Sequence, residues 1–203
     1  MAEEMTDMQV MFQERQNTGT AWTNNKDFDK NGYFVVKDLW DPEELYHPVP
    51  ELRGQLNYYD KDPTHFNHTP IENQVEGSVA RYWHPQYRTI HSGVRKKLEK
   101  VLGRKLYNTY YYDRYYFPGQ ELTKHADRDA CEISVSIHIS TNLPDDYEGG
   151  NVQLMDESGN AYIVPRQRGC IVLFDSRTQH RVLKVTKGVR KSLVGWTVGP
   201  RWK

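Results

Sequence analysis

The clearest hydrophobic pattern in the chain lies between Pro85 and Gly103. Ile90, Val94, Leu98, Val101 and Leu102 recur at helical spacing, and Arg95, Lys96, Lys97, Glu99 and Lys100 fill the opposite side. The spacing predicts an amphipathic helix, capped by Gly103 and packed by its apolar stripe on a sheet. From Leu106 onward the period drops to two. YNTYYYDRYYF, ISVSIHIS, NVQLM, AYIV, CIVLF and KSLVGWTV are short runs rich in β-branched and aromatic residues. Turn residues separate them at Pro118-Gly119, Leu143–Gly150, Asp156–Asn160, Arg166–Gly169 and Lys187-Gly188. Many short strands with one packing helix predict a mainly β fold with α-helical support, as a two-sheet sandwich or jelly-roll barrel.

The N-terminal half has weaker patterning. Gly32–Trp40 reads as a strand, and Asp41–Leu45 as a helix start that Pro48 and Pro50 cut short. Residues 57–85 are rich in Asn, Asp, Pro and His and read as a long loop, a lid or binding segment. Residues 1–25 read as a polar arm, and 26–203 as one domain.

In ISVSIHIS, Ile133, Val135, Ile137 and Ile139 share one face, and Ser134, Ser136, His138 and Ser140 share the other. A polar inner face suits a barrel whose interior is a wet site. Six of the 14 tyrosines lie between Tyr107 and Tyr116, where alternation divides them between core packing and a groove wall.

Charge narrows the partners. The 27 Lys+Arg balance 27 Asp+Glu, which removes the electrostatic case for nucleic acid or a membrane surface. The balance is uneven, because Arg166–Lys203 carries ten basic residues and one acid, Asp175. This run reads first as the solvated face of basic strands, and otherwise as a positive field beside a site for an anion. Two cysteines are too few for a disulfide scaffold. With no basic-then-apolar leader and no apolar run of membrane-spanning length, the expectation is a soluble protein of a reducing cytoplasm.

Three positions carry candidate chemistry. In His125-Ala126-Asp127, an extended backbone would point imidazole and carboxylate to one side. His180 follows just past the run CIVLFD. Two imidazoles and one carboxylate form the facial triad of non-haem Fe(II) oxygenases, with positions left open for O2 and a bidentate cosubstrate. His-X-Asp alone is common by chance. It gains force from Arg190, ten residues after His180, which shares a strand face with Ser192, Val194 and Trp196. A guanidinium fork matches a carboxylate bidentately and Ser192 adds a donor, so a dicarboxylate could chelate the metal at one end and meet Arg190 at the other. His65 and His68 in HFNH, with no third ligand nearby, read as loop histidines.

Tyr116-Phe-Pro-Gly119-Gln, His125-Ala-Asp127, Glu148-Gly-Gly150, His180 and Gly188-Val-Arg190-Lys-Ser192 together resemble the prolyl 4-hydroxylase-type branch of the 2-oxoglutarate/Fe(II) dioxygenases. The resemblance runs from about Gly32 to Trp202 and is strongest from Leu106 to Trp196. It implies a double-stranded β-helix (jelly-roll) core, His125, Asp127 and His180 as iron ligands, and Arg190 as the main 2-oxoglutarate anchor, where that branch commonly carries Lys. It also implies a role for the Tyr116 hydroxyl at the distal carboxylate of 2-oxoglutarate. His138 stands about where a family Tyr meets the cosubstrate, and reads equally as a hydrogen-bonded core histidine. Tyr112, Trp196 and Arg128 are candidates for substrate contact, with Asp129 the alternative partner of Arg128. The implied reaction is C–H hydroxylation with O2, giving succinate and CO2 as coproducts and using ascorbate as reductant. The expected substrate is a prolyl residue in a peptide or protein. The rivals are a free amino acid or other small molecule, and, from another class, a non-catalytic metal-binding jelly-roll module.

Overall fold

The computed structural model describes residues 25–37, 74–75, 78–82, 87–128, 131–138, 147–156, 158–165 and 170–198. The expected arm over 1–25 apart from Asn25, the helix start at Asp41–Leu45, most of the 57–85 segment, His65 and His68, Asp129, Ile139 and Ser140, and the turn at Arg166–Gly169 lie outside the described residues.

The elements in chain order are α1 (Lys26–Asn31), β1 (Tyr33–Val36), β2 (Val79–Tyr82), α2 (Tyr87–Leu102), β3 (Tyr107–Tyr116), β4 (Leu122–His125), β5 (Ile133–His138), β6 (Tyr147–Gly149), β7 (Val152–Met155), β8 (Ala161–Ile163), β9 (Ile171–Asp175), β10 (Gln179–Val182), β11 (Val185–Gly188) and β12 (Arg190–Val198). The strands form a six-stranded sheet ordered β1-β9-β5-β12-β3-β2, a four-stranded sheet ordered β4-β10-β7-β8, and a two-stranded ribbon β11-β6. Their ladders are antiparallel, and the sheets form the jelly-roll core expected from the sequence.

Two cores sandwich the six-stranded sheet. On its outer face α2 lays Ile90, Val94, Leu98 and Leu102 against Ile133, Val135, Ile137, Ile171 and Leu173. The predicted stripe is therefore the packed one, except that Val101 stays half-buried. Gly103 follows α2 at φ 65, the left-handed position a C-cap requires. Glu99 holds the helix end to the next strand, since it accepts from Leu106 N at 3.0 Å and pairs with Arg95 and Lys105. Gly195 on β12 leaves room for the buried His91 ring, which would lie 2.8 Å from a Cβ there. On the inner face, Val172, Phe174, Leu154 and Val164 form the core between the sheets. β9 supplies both cores from alternate residues, which is why IVLFD is an unbroken buried run.

Several local readings change. Of Gly32–Trp40, read as a strand, residues 32–37 are described and hold a strand over Tyr33–Val36, preceded by a six-residue helix missed in the sequence. That helix is too short to show a period and is held by its ends: Asn25 accepts from Phe28 N, and Gly32 closes it at φ 74. Val79–Tyr82, inside the segment read as loop, is the edge strand beside β3. Tyr147–Gly149, read within the Leu143–Gly150 turn, and Lys187-Gly188, also read as a turn, lie in the paired strands β6 and β11 instead. Such three- and four-residue strands have too little alternation to be legible, and their partners lie far away in sequence.

Gly149 carries a prediction. It sits at φ 73, and a Cβ there would overlap the Lys184 carbonyl oxygen. Gly149→Ala should lower stability by roughly 1–3 kcal/mol from the left-handed backbone alone, with the overlap adding to it. Denaturant unfolding measures this, and a wild-type midpoint in the variant would refute it.

Candidate metal centre

β10 and β4 are paired so that His180 lies directly opposite His125. The ladder therefore fixes two imidazoles side by side, with ring centroids 4.2 Å apart. His180 thus stands past the end of β9, as read, and within a short strand of its own. Asp127 differs from expectation. β4 ends at His125, so strand alternation does not aim the carboxylate. The chain instead leaves the strand, and Asp127 N donates to Ser176 O at 2.8 Å, which ties the turn to the end of β9.

The donor atoms converge. His125 Nδ1 donates to Thr123 O at 2.8 Å and His180 Nδ1 to Thr178 O at 2.9 Å. Each ring uses the carbonyl two residues before it, and a proton held on Nδ1 leaves Nε2 as a lone pair. The two Nε2 atoms lie 3.8 and 3.9 Å from Asp127 Oδ1. One ligand atom from each residue lies within 4.8 Å of the others, the spread a single ion can bridge. The Ser134 hydroxyl donates to Asp127 Oδ2, which leaves Oδ1 facing the histidines. Burial pushes the His180 imidazole below its usual range, against the opposing pull of Asp127, and the Phe174 ring packs on it at 4.6 Å. A neutral imidazole is the ligand form. The donor set, its tautomers and its one-sided arrangement fit a facial-triad metal such as Fe(II).

The triad lines a solvent-open cleft of about 430 Å³ between the sheets. Tyr116, Arg190 and Ser192 line the same cleft, as do Tyr112, Ser136 and Val194. Arg190 is 5% exposed. Its guanidinium donates to Ser192 Oγ at 3.0 Å and lies 4.9 Å over the Tyr116 ring, with Tyr116 paired opposite it on β3. Among the described residues neither contact is an anion. A buried cation with no carboxylate beside it is costly, and the cleft in front of it is where an anionic ligand would compensate. Ser192, expected as a donor to a ligand, first accepts from Arg190 and so orients the fork.

The tyrosine-rich strand divides by parity. Tyr111 faces α2, whereas Tyr112 and Tyr116 face the cleft. Arg114 lies between these two on the same face, fully buried, with its guanidinium 5.1 Å from the Tyr112 ring and 5.8 Å from that of Tyr116. His138 sits on the polar face of β5 with Ser134 and Ser136, hydrogen-bonded through Nδ1 to the Tyr147 hydroxyl at 3.0 Å. Trp196 is opposite Ser134 in the β12–β5 register. Arg128 is exposed one residue beyond Asp127 and is not part of the cleft wall. Sequence reasoning missed Ser134 as the residue orienting Asp127, and missed Phe174 and Tyr147. Ser134 was legible as inward-facing, but its partner was not. For Tyr147, the only signal was its place just before Gly149-Gly150.

Residues 107–198 match the family described as the 2OG-Fe(II) oxygenase superfamily. A PKHD-type hydroxylase of Parvibaculum lavamentivorans is 36% identical over 70 residues, 34% of this chain and 31% of that protein. One from Picosynechococcus is 30% identical over 122 residues, 55% of this chain and 54% of that protein. The chain thus spans about half or less of the length of these curated relatives. The fold matches a Pseudomonas putida prolyl-4-hydroxylase with TM-score 0.60 at 19% identity, over 84% of this chain and 94% of that one. It also matches a Trichoplax adhaerens prolyl hydroxylase in complex with a hypoxia inducible factor peptide fragment, with TM-score 0.66 at 17% identity, over 98% and 96%.

Proposed function

Taking the chain as a prolyl hydroxylase-like 2-oxoglutarate/Fe(II) oxygenase, the character its sequence match and fold support, we propose that it hydroxylates prolyl residues in a peptide or protein. The observation that carries the reading is one cleft lined at once by His125, Asp127 and His180 and by Arg190, Ser192 and Tyr116. The three donors hold the iron, and Arg190 with Ser192 and Tyr116 holds the far carboxylate of 2-oxoglutarate. Bound iron with 2-oxoglutarate and O2 supplies the oxidising power for C–H hydroxylation, with succinate and CO2 as coproducts and ascorbate as the reductant.

The protein's own part is positional. Thr123 and Thr178 carbonyls fix both imidazole tautomers, and Ser134 fixes the carboxylate. Phe174 packs on His180, and Leu122, Val152 and Val182 line the same cleft, so much of its wall is apolar, which keeps water from competing for the site. Tyr112 and Val194 continue the wall next to Ala80 and Cys131, as an apolar bed for substrate. The Trichoplax neighbour's bound peptide supports a peptide substrate over a free amino acid.

The test is turnover of 2-oxoglutarate by the purified chain with Fe(II) and ascorbate, against proline-containing peptides and free amino acids. Peptides should raise succinate formation and gain one oxygen atom. Stimulation by free amino acids alone would replace the peptide with a small molecule. A protein that neither binds 2-oxoglutarate nor consumes it uncoupled would be a non-catalytic metal-binding module.

A further inference from the structure

The metal centre and the cosubstrate anchor leave a second buried guanidinium without a role. Arg114 is 0% exposed. Burying a cation is costly, so the groups gathered around it are informative. They come from three parts of the cleft. The guanidinium lies 5.1 Å from the Tyr112 ring and 5.8 Å from the Tyr116 ring. Both of its terminal nitrogens donate to Gln74 Oε1 at 3.4 Å. Gln74 precedes Val75, which packs with Tyr116, Leu122, Val182 and Val185.

The register sets Arg114 on a rung that crosses the cleft. It is paired with Ala80 of β2 on one side and with Ser192 of β12 on the other, and Ser192 is paired in turn with His138 of β5. Ala80 belongs with Tyr112, Cys131 and Val194 to the apolar bed, whereas Ser192 accepts from Arg190. Tyr112, Arg114 and Tyr116 are alternate residues of β3, so they share a face. Tyr116 also carries the Arg190 guanidinium 4.9 Å over its ring. A continuous series of contacts therefore runs from Tyr112 through Arg114 and Tyr116 to Arg190. Attraction between a cation and a ring face fades beyond about 6 Å from the centroid. Because one guanidinium serves both tyrosines, fixing either ring fixes the cation and so steadies the other.

We propose that Arg114 is a positioning residue that couples the substrate bed to the cosubstrate end: a peptide settling on Tyr112 fixes that ring and, through Arg114, fixes Tyr116 beside Arg190. This rests on the reading of the cleft as a site for 2-oxoglutarate and a prolyl residue of a peptide. Each ligand orders part of the wall that the other needs. Peptide therefore tightens 2-oxoglutarate, and 2-oxoglutarate tightens peptide by the same factor.

Calorimetry on the full chain loaded with redox-inert Mn(II) measures 2-oxoglutarate binding alone and at saturation with the proline-containing peptide that most raises succinate formation. In the wild type the peptide should tighten 2-oxoglutarate about fivefold or more, the lower end of coupling between two sites. Arg114→Met keeps an apolar stem but removes the cation. It should bring that ratio close to one, with Mn(II) affinity unchanged and 2-oxoglutarate still bound through Arg190. Arg114→Lys keeps a cation on the stem and should retain part of the ratio, which a residue that only fills space would not. Tyr112→Leu breaks the series at its other end and should also bring the ratio close to one. It decides the question if Arg114→Met does not fold. A wild type whose two ligands bind independently, a wild-type ratio in Arg114→Met or Tyr112→Leu, or equal loss in Arg114→Lys and Arg114→Met overturns the proposal and leaves the peptide reading standing. A wild type that binds 2-oxoglutarate but answers to no peptide overturns that reading and the proposal with it.

Discussion

Asp127→Ala should abolish 2-oxoglutarate turnover by the Fe(II)-loaded protein. The expected loss is at least about 100-fold, since even partners one shell out from a metal cost 10–100-fold in affinity or activity when removed. Among the described residues, Asp127 is the one carboxylate in the cluster that the two Nε2 atoms face. Its removal leaves two imidazoles, one of them 7% exposed, to hold a dication without an anion. The fold should survive. The variant also frees the Ser134 hydroxyl, and the β4–β10 ladder that pairs His125 with His180 does not use the Asp127 side chain. Two measurements check this: succinate formation across a range of Fe(II) concentrations, and thermal unfolding without metal. Full turnover in the variant would remove Asp127, and with it the triad, from the mechanism.

The sequence made the chemistry more legible than the geometry that delivers it. The alternation of ISVSIHIS was readable because a strand buried on two different faces must obey period two, and over Ile133–His138 both its faces are as read. The α2 stripe was readable for the same reason at helical period. The metal cluster drew attention by residue type, but strand alternation was the wrong reason for His125 and Asp127 to share a side. A turn held by Ser176 O does the work, and no local pattern encodes a hydrogen bond between segments that far apart. β10 was invisible for a related cause. Its four residues, QHRV, hold one buried imidazole and one valine, too few positions to show a period. The long-range facts that matter most, His180 opposite His125 and Ser192 opposite His138, are registers between distant strands.

Arg190→Ala should separate cosubstrate binding from metal binding. Losing a buried, ion-paired cation costs about 2–5 kcal/mol of binding, or roughly 30- to 4,000-fold in dissociation constant. The 2-oxoglutarate requirement should rise by that factor while Fe(II) or Mn(II) affinity stays near wild type, since no metal-ligand candidate contacts the guanidinium among the described residues. Arg190→Lys should fall between, keeping the charge but losing the fork that meets two carboxylate oxygens. The unliganded protein offers a sharper sign. There Arg190 is buried against a serine hydroxyl and a tyrosine face, with no anion at either contact. Its removal relieves a desolvated charge, so Arg190→Ala should unfold at the wild-type midpoint or above it without ligand. Added 2-oxoglutarate with Mn(II) should stabilise the wild type by about 2.7 kcal/mol at a hundredfold excess over its dissociation constant. The variant should show almost none of that gain at the same concentration. An Arg190 that served only to pack the sheets would give the reverse: a less stable unliganded variant, with the ligand-induced gain intact.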